Sequence, residues 1–472
     1  MVLSFLDKMI SRGINKTQDR IKKNFEDKDF LELFNKGGVA MLYRIGGQLL
    51  GFLLTFVIAY FFGANGLGDY VLAIIVLKIF TLISKLGLDT ASIKYIAGYS
   101  SEKSLSSILD FRKKSIFLIT TVSIICSLVM YLGANIIAEF IKANPQQIEI
   151  TSFFILPMSL FIFHYQNMRG LKEIAGYSFF FWMSQALFSL IAILVLTTFT
   201  KDPAVPLYAY LISLIVISIF SIIFFTYILN KRKQIKGLFT DDKKSESIKN
   251  ILIVSLPLML AQAVHFIMSW TDKLMLGILD SPDVISGLST NSAQIGVYHT
   301  AFKLSMFATI GLMAVKSIAS PKFAELYKQR EFKLLKKVTQ QSTKLIFWTT
   351  LPLVALFIFF SENLMLLFGD EFQAGVFAFI LLSIGRVFVS FSGAAGNLLQ
   401  MCGRQVIFMN IAVIGSVINV VLNFSLIPIF GINGSAIATM ISLVSFNFLL
   451  VYYVKKEFGF YTFYNPFKKA DE

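Results

Sequence analysis

The chain has 472 residues, is 56% hydrophobic and 15% charged, and has a mean hydropathy of +0.71. That is far more apolar than a soluble domain, so the expected class is an all-α polytopic membrane protein. Two cysteines, Cys126 and Cys402, both in apolar stretches, and three histidines argue against a disulfide framework or a Cys- or His-based metal site.

The chain opens with a charged segment, residues 1–36, that lacks the continuous apolar core of a signal peptide. Phe5, Met9, Ile10, Ile14, Ile21 and Phe25 recur among Lys8, Arg12, Lys16, Arg20, Lys22 and Lys23. This spacing predicts a basic amphipathic helix on anionic lipid, on the cytoplasmic side.

Twelve apolar segments then follow, beginning near Gly37, Leu67, Ser115, Thr151, Ala175, Leu207, Ile251, Ile295, Leu345, Gly375, Val406 and Asn433. Each is long enough, at 1.5 Å per residue, to cross a hydrocarbon core of about 30 Å. Alternate loops hold 35 of the 43 Lys and Arg, while the opposite loops hold only Lys142 and Lys201. Cytoplasmic loops are the basic ones, so both termini are expected inside. The net charge of +15 is on this reading a mark of topology, and nucleic acid is not an expected partner.

The sequence divides at its midpoint. Residues 37–230 and 251–457 are expected to form two lobes of six helices, joined by a charged cytoplasmic linker over 231–250 and followed by a tail over 458–472. A repeat supports this division: Leu67 to Tyr99 returns 228 positions later as Ile295 to Tyr327, sharing among others Gly68/Gly296, Tyr70/Tyr298, Ala73/Ala301, Ser92/Ser320 and Lys94/Lys322. Two halves carrying the same helix in the same direction are the pattern of parallel-repeat transporters.

Six cations remain inside the apolar segments: Arg44, Lys78, Lys273, Lys303, Lys316 and Arg386. Lys316 and Lys273 are placed near the helix ends, where snorkelling relieves them. Arg44, Lys78, Lys303 and Arg386 are deeper, and four mid-membrane cations cost together roughly 10 kcal/mol unless they face water or a partner. Gln48 lies one turn from Arg44 and Asn397 lies on the Arg386 stripe. Helix seven adds Gln262, His265, Ser269 and Asp272, and His299 precedes Lys303 by four. These stripes imply a cation-rich aqueous cavity between helices 1 and 2 of one lobe and 7, 8 and 10 of the other. Such a cavity fits an anionic ligand, and arginine suits phosphate oxygens.

Asp272, the one clear deep acid, and His265 and His299, which titrate near neutral pH, are the candidates for coupling to a proton or sodium gradient. No Gly-Lys dipeptide occurs, so there is no P-loop, and no zinc helix or nucleophile elbow is found. No enzyme activity and no cofactor beyond H+ or Na+ is expected.

Several stretches resemble the O-antigen and capsule repeat-unit flippases of the multidrug/oligosaccharidyl-lipid/polysaccharide exporter superfamily. They are Asp272-Lys273-Leu274-Met275-Leu276-Gly277, Ile295-Gly296-Val297-Tyr298, Ala319-Ser320-Pro321, Leu367 to Phe372, Gly403-Arg404-Gln405, Asn419 with Asn423, and Ile427 to Gly434. The resemblance implies two pseudo-symmetric six-helix bundles forming a V around a central cavity, in the bacterial inner membrane. It implies transport of undecaprenyl-pyrophosphate-linked repeat units by alternating access without ATP, for lipopolysaccharide or other surface polysaccharide, alongside a polymerase and chain-length machinery. Competing expectations are a cation-coupled multidrug exporter and a flippase of the peptidoglycan lipid precursor.

Overall fold

The computed structural model describes residues 28–234, 246–281, 288 and 290–463. Residues 1–27 of the expected amphipathic segment, 235–245 of the linker and 464–472 of the tail lie outside them. The described residues form helices and short connections.

In the first half these are α1 (Lys28–Ser84), α2 (Leu88–Ser101), α3 (Leu105–Leu132), α4 (Ala134–Ile141), α5 (Pro145–Ser152), α6 (Ile155–Gly170), α7 (Ile174–Ser178), α8 (Gln185–Leu196) and α9 (Val205–Lys233). A π-helical turn, Phe179–Ser184, joins α7 to α8. The second half contains α10 (Ile248–Ile278), α11 (Asn291–Met306), α12 (Ile310–Lys328), α13 (Phe332–Phe359), α14 (Ser361–Leu366), α15 (Val376–Ser392), α16 (Ala395–Met401) and α17 (Gln405–Phe458).

Local chemistry sets several of these starts. The Ser247 hydroxyl accepts from Asn250 N at 3.2 Å and so caps α10 directly after the linker. Thr290 accepts from Ala293 N at 3.0 Å at the start of α11, and Asn144 precedes Pro145 at the start of α5.

Among the described residues, eight helices are long and apolar enough to cross a membrane, or ten when each of two bent pairs is taken as one span. The two longest, α1 and α17, leave the helical region at Gly63 (φ 65°, ψ −171°) and Gly431 (φ 54°, ψ −131°). Positive φ is strained for a residue with a Cβ, which is why glycine stands at both breaks. Each of these two helices is therefore two limbs joined at a glycine.

Two ends of the bundle differ in chemistry. At the acidic end Ala64 N donates to Glu371 Oε1 at 2.5 Å, Ser292 Oγ donates to Asp69 Oδ1 at 2.5 Å, and Lys142 pairs with Asp280. At the basic end Arg232 bridges to Glu173 at 2.7 Å and Arg404 to Glu457 at 2.6 Å.

Packing follows the same division. A large apolar core joins Leu67, Leu72 and Ile75 of α1 to Ile295, Val297 and Tyr298 of α11, so the two halves share one interior toward the acidic end. A second core, around Phe323, Leu335, Leu398 and Leu450, belongs to the second half alone. Near the basic end the halves meet at a clasp: Lys85 Nζ donates to Asp89 Oδ2 at 2.8 Å and to Gln262 Oε1 at 3.2 Å, while Gln262 Nε2 donates to Asp89 Oδ1 at 3.1 Å. Beside it Gly87, at φ 71°, lies so close to Ser255 that an added Cβ would stand 2.1 Å from the Ser255 carbonyl oxygen.

Candidate functional site

A cavity of about 510 Å³ opens in the second half, with Lys78 of the first half on its wall. Lys78 faces it from the second limb of α1; α10 contributes His265, Ser269, Trp270, Asp272 and Lys273; α11 contributes His299, Phe302 and Lys303; and α15 contributes Arg386. Both limbs of α17 complete the wall, with Ser416, Asn419, Thr439 and Phe446 among their lining residues. The i, i+3 and i, i+4 spacings along α10 and α11 put these side chains on one helix face.

Four cations and one acid therefore line the space. Asp272 does not pair with any of the cations. Its Oδ1 accepts from Asn419 Nδ2 and Asn423 Nδ2, both at 3.0 Å, and its Oδ2 accepts from Tyr298 Oη at 2.9 Å and Thr439 Oγ1 at 2.7 Å. Four neutral donors from three helix segments fill the four lone-pair positions of the carboxylate. Ser435 Oγ donates to Asn423 Oδ1 at 2.9 Å, which turns the Asn423 amide nitrogen toward Asp272.

The cations rest on aromatic faces instead. Lys78 Nζ stands 4.0 Å from the Trp270 ring centroid, and Lys273 Nζ stands 5.2 Å from Trp270 and 4.1 Å from Phe302. The Arg386 guanidinium lies 5.2 Å from the same Phe302 ring. Lys303 Nζ donates to the Gly51 carbonyl at 3.3 Å. Arg386 is 8% exposed, and its Nε and one terminal nitrogen have no hydrogen-bond partner among the described residues. A cation–aromatic contact offsets about 0.5–2 kcal/mol, whereas burying a charge costs several. The cavity thus carries an excess of positive charge that no salt bridge among the described residues neutralises.

Lys273 departs from its expected place. The sequence put it near a helix end, free to snorkel; the structure buries it at 2% exposure, because its helix face turns it between Trp270 and Phe302.

The sequence-derived candidates fall into three places. Lys78, Lys303, Arg386, Asp272, His265 and His299 converge on the large cavity. Arg44 and Gln48 line a different, smaller one of about 180 Å³ between α1, Trp182 of the π-helical turn, and Ile310, Met313 and Ala314 of α12. There the Arg44 guanidinium lies 4.6 Å from the Trp182 ring centroid, and its Nε has no partner among the described residues. Asn397, on α16, donates to Ser320 of α12 and lines neither cavity. Of the helix-seven stripe, Gln262 belongs to the clasp near the basic end.

Sequence reasoning did not single out Trp270, Phe302 or Thr439 for this site. An aromatic on an apolar helix looks like lipid-facing surface until its neighbours are known. Asn419 and Asn423, one turn apart, carried a signal of their own: two amides on one face of an apolar helix need a buried partner.

Residues 33–327 match the family described as Polysaccharide biosynthesis protein, and residues 257–425 match the family described as MatE. An uncharacterised membrane protein of Methanocaldococcus jannaschii is 26% identical over 75% of this chain and 70% of its own length. The probable low-salt glycan biosynthesis flippase Agl15 of Haloferax volcanii is 26% identical over 39% of this chain, an alignment that spans 38% of that relative. Among solved structures, lipid II flippase MurJ in an inward closed conformation is similar with a TM-score of 0.68 at 19% identity, covering 88% of this chain and 87% of that one.

Proposed function

The chain belongs to the polysaccharide biosynthesis protein family, membrane transporters of the multidrug/oligosaccharidyl-lipid/polysaccharide exporter superfamily rather than enzymes, and we propose that it flips undecaprenyl-pyrophosphate-linked oligosaccharide repeat units. Movement runs from the cytoplasmic to the outer leaflet of the bacterial cytoplasmic membrane, by alternating access of the two lobes. A polymerase and chain-length machinery then take up the product.

The observation that carries this reading is the charge of the large cavity. Lys78, Lys273, Lys303 and Arg386 line it, no carboxylate among the described residues forms a salt bridge with any of them, and its one acid is occupied by four neutral donors. A pyrophosphate supplies the missing negative charge, and the Arg386 fork suits its oxygens. The glycan occupies the rest of the cavity, and the polyprenyl tail stays in lipid between the lobes. Arg44 and Gln48, in the neighbouring cavity, meet the head group at another stage of its passage.

Energy comes from a gradient. With a negative interior, outward movement of each net negative charge releases about 2.3 kcal/mol per 100 mV. Asp272, His265 and His299 are the groups for a coupled proton or sodium ion. The relationship to a probable glycan flippase supports a lipid-linked glycan as substrate.

The test is deletion of the gene followed by analysis of surface polysaccharide and of the lipid-linked oligosaccharide pool. Loss of surface glycan with complete repeat units accumulating on the inner face is expected. Unchanged glycan with altered drug sensitivity would overturn the reading in favour of a drug exporter, and loss of viability through peptidoglycan arrest would favour the peptidoglycan-precursor alternative.

A further inference from the structure

Lys78 is the one residue of the first half among those that line the large cavity; every other lining residue comes from the second half. Among the described residues Lys78 is therefore the one first-lobe side chain within direct reach of a ligand in that cavity. Its ammonium sits 4.0 Å from the ring centroid of Trp270, in the opposite lobe, and the same ring also carries Lys273 at 5.2 Å. A second contact runs the other way, from Lys303 in the second lobe to the Gly51 carbonyl in the first.

We propose that Trp270 is a positioning residue that carries ligand occupancy across the lobe interface, by holding Lys78 on its face until a phosphate or pyrophosphate oxygen takes the ammonium away. This rests on the reading of the cavity as an anion site.

The choice of partner explains why an aromatic stands here. A carboxylate facing Lys78 would neutralise it and leave it unavailable to an anionic ligand. A ring attracts the ammonium through its quadrupole yet leaves the charge uncancelled. The bond to a ring is weaker than a charge-assisted hydrogen bond to phosphate, so the exchange runs toward the ligand and reverses when the ligand leaves. The exchange removes one of the contacts that ties the lobes together beside the cavity. Lys273, on the same ring and in the same lobe as Trp270, moves toward the same oxygens without changing the lobe contact. The Lys78 contact and the Lys303–Gly51 bond both join the lobes beside the ligand's space, but only in the Lys78 contact does a side chain of the first lobe itself meet the ligand, which makes its loss a signal to that lobe.

The chain contains three tryptophans, so emission can be assigned by difference. Purified full-length protein in detergent is titrated with inorganic pyrophosphate, following heat by calorimetry and tryptophan emission in parallel, for wild type, Trp270→Phe and Lys78→Gln. Expected is a wild-type emission change that saturates with the heat signal and falls by at least about two-thirds in Trp270→Phe and in Lys78→Gln, because the ammonium over the indole is its source. Saturable heat with no emission change, or a change that survives in Trp270→Phe, overturns the role of Trp270 and leaves the anion site standing. No pyrophosphate heat at all overturns both together.

Flipping supplies the second measurement. Trp270→Phe, which keeps an aromatic face, is expected within about threefold of wild type, and Trp270→Leu is expected roughly tenfold or more below it. Equal rates for the Phe and Leu variants would overturn the proposal, since packing volume alone would then account for the residue.

Discussion

Gly68 and Gly296, repeat-related glycines 228 positions apart, each lie against the backbone of the other copy: a Cβ on Gly68 would stand 1.7 Å from the Ser292 carbonyl oxygen, and one on Gly296 would stand 2.1 Å from the Ala64 carbonyl oxygen. Ala64 and Ser292 are themselves 228 positions apart. The contact therefore maps onto itself when the halves are exchanged, as a pseudo-two-fold axis through the acidic end requires. Backbone meets backbone here, so no side-chain adjustment can absorb added volume.

Gly68→Leu and Gly296→Leu are accordingly expected to force the halves apart at the acidic end. Overpacking of this kind costs about 1–3 kcal/mol, and the protein avoids it by opening. A cysteine at Ser416, on the cavity wall, should then react faster with a membrane-impermeant maleimide added on the side of the acidic end. Unaltered labelling in both variants would show that the contact does not control access.

The Lys85–Asp89–Gln262 clasp holds the other end, with Lys85 7% and Asp89 2% exposed. Removing one member of a buried ion pair costs about 3–5 kcal/mol because the remaining charge is stranded. Asp89→Ala should lower thermal stability strongly, and the double change Lys85→Met with Asp89→Leu should recover most of the loss. Thermal unfolding of the purified variants checks this; a double variant no better than the single one would contradict it.

Asp272 accepts four hydrogen bonds from Tyr298, Asn419, Asn423 and Thr439. Tyr298→Phe removes one donor and is expected to cost about 1 kcal/mol, while Asp272→Ala removes the acceptor common to all four and should cost more than about 3 kcal/mol. Unfolding temperatures should fall in that order. Equal losses would mean that the node contributes little beyond the packing of α10.

Arg44 and Arg386 lie in different cavities and share no partner, whereas Arg386 and Lys273 share the Phe302 ring. Independent sites add within about 0.5 kcal/mol, so the fold-losses of Arg44→Ala and Arg386→Ala in flipping should multiply to within about twofold. Those of Arg386→Ala and Lys273→Ala should fall short of their product. Flipping rates of the single and double variants decide it.

Arg386→Lys keeps the charge but loses the planar fork whose two nitrogens have no partner among the described residues. On the proposed pyrophosphate reading, a bidentate bond to phosphate has no lysine equivalent, so flipping should fall about tenfold or more. A lysine variant at wild-type rate would show that Arg386 acts only as a point charge.

The class of the molecule, its repeat and the turning of Lys78, Lys303 and Arg386 toward one interior space were legible in the residues alone. Each depends on hydropathy, charge counting or fixed helical spacing, which a single helix already contains. The partners of those residues were not. That Trp270 serves Lys78 and Lys273, that Lys273 turns inward, that Arg44 occupies a cavity of its own and that Asp272 is surrounded by neutral donors all depend on how separate helices are rotated against one another. Tyr70 and Tyr298 make the limit plain: they hold the same place in the repeat, yet Tyr298 donates to Asp272 while the Tyr70 ring lies edge-on against Tyr210 at 5.9 Å. Spacing along one helix fixes which side chains share a face, and only the packing of many helices decides what that face meets.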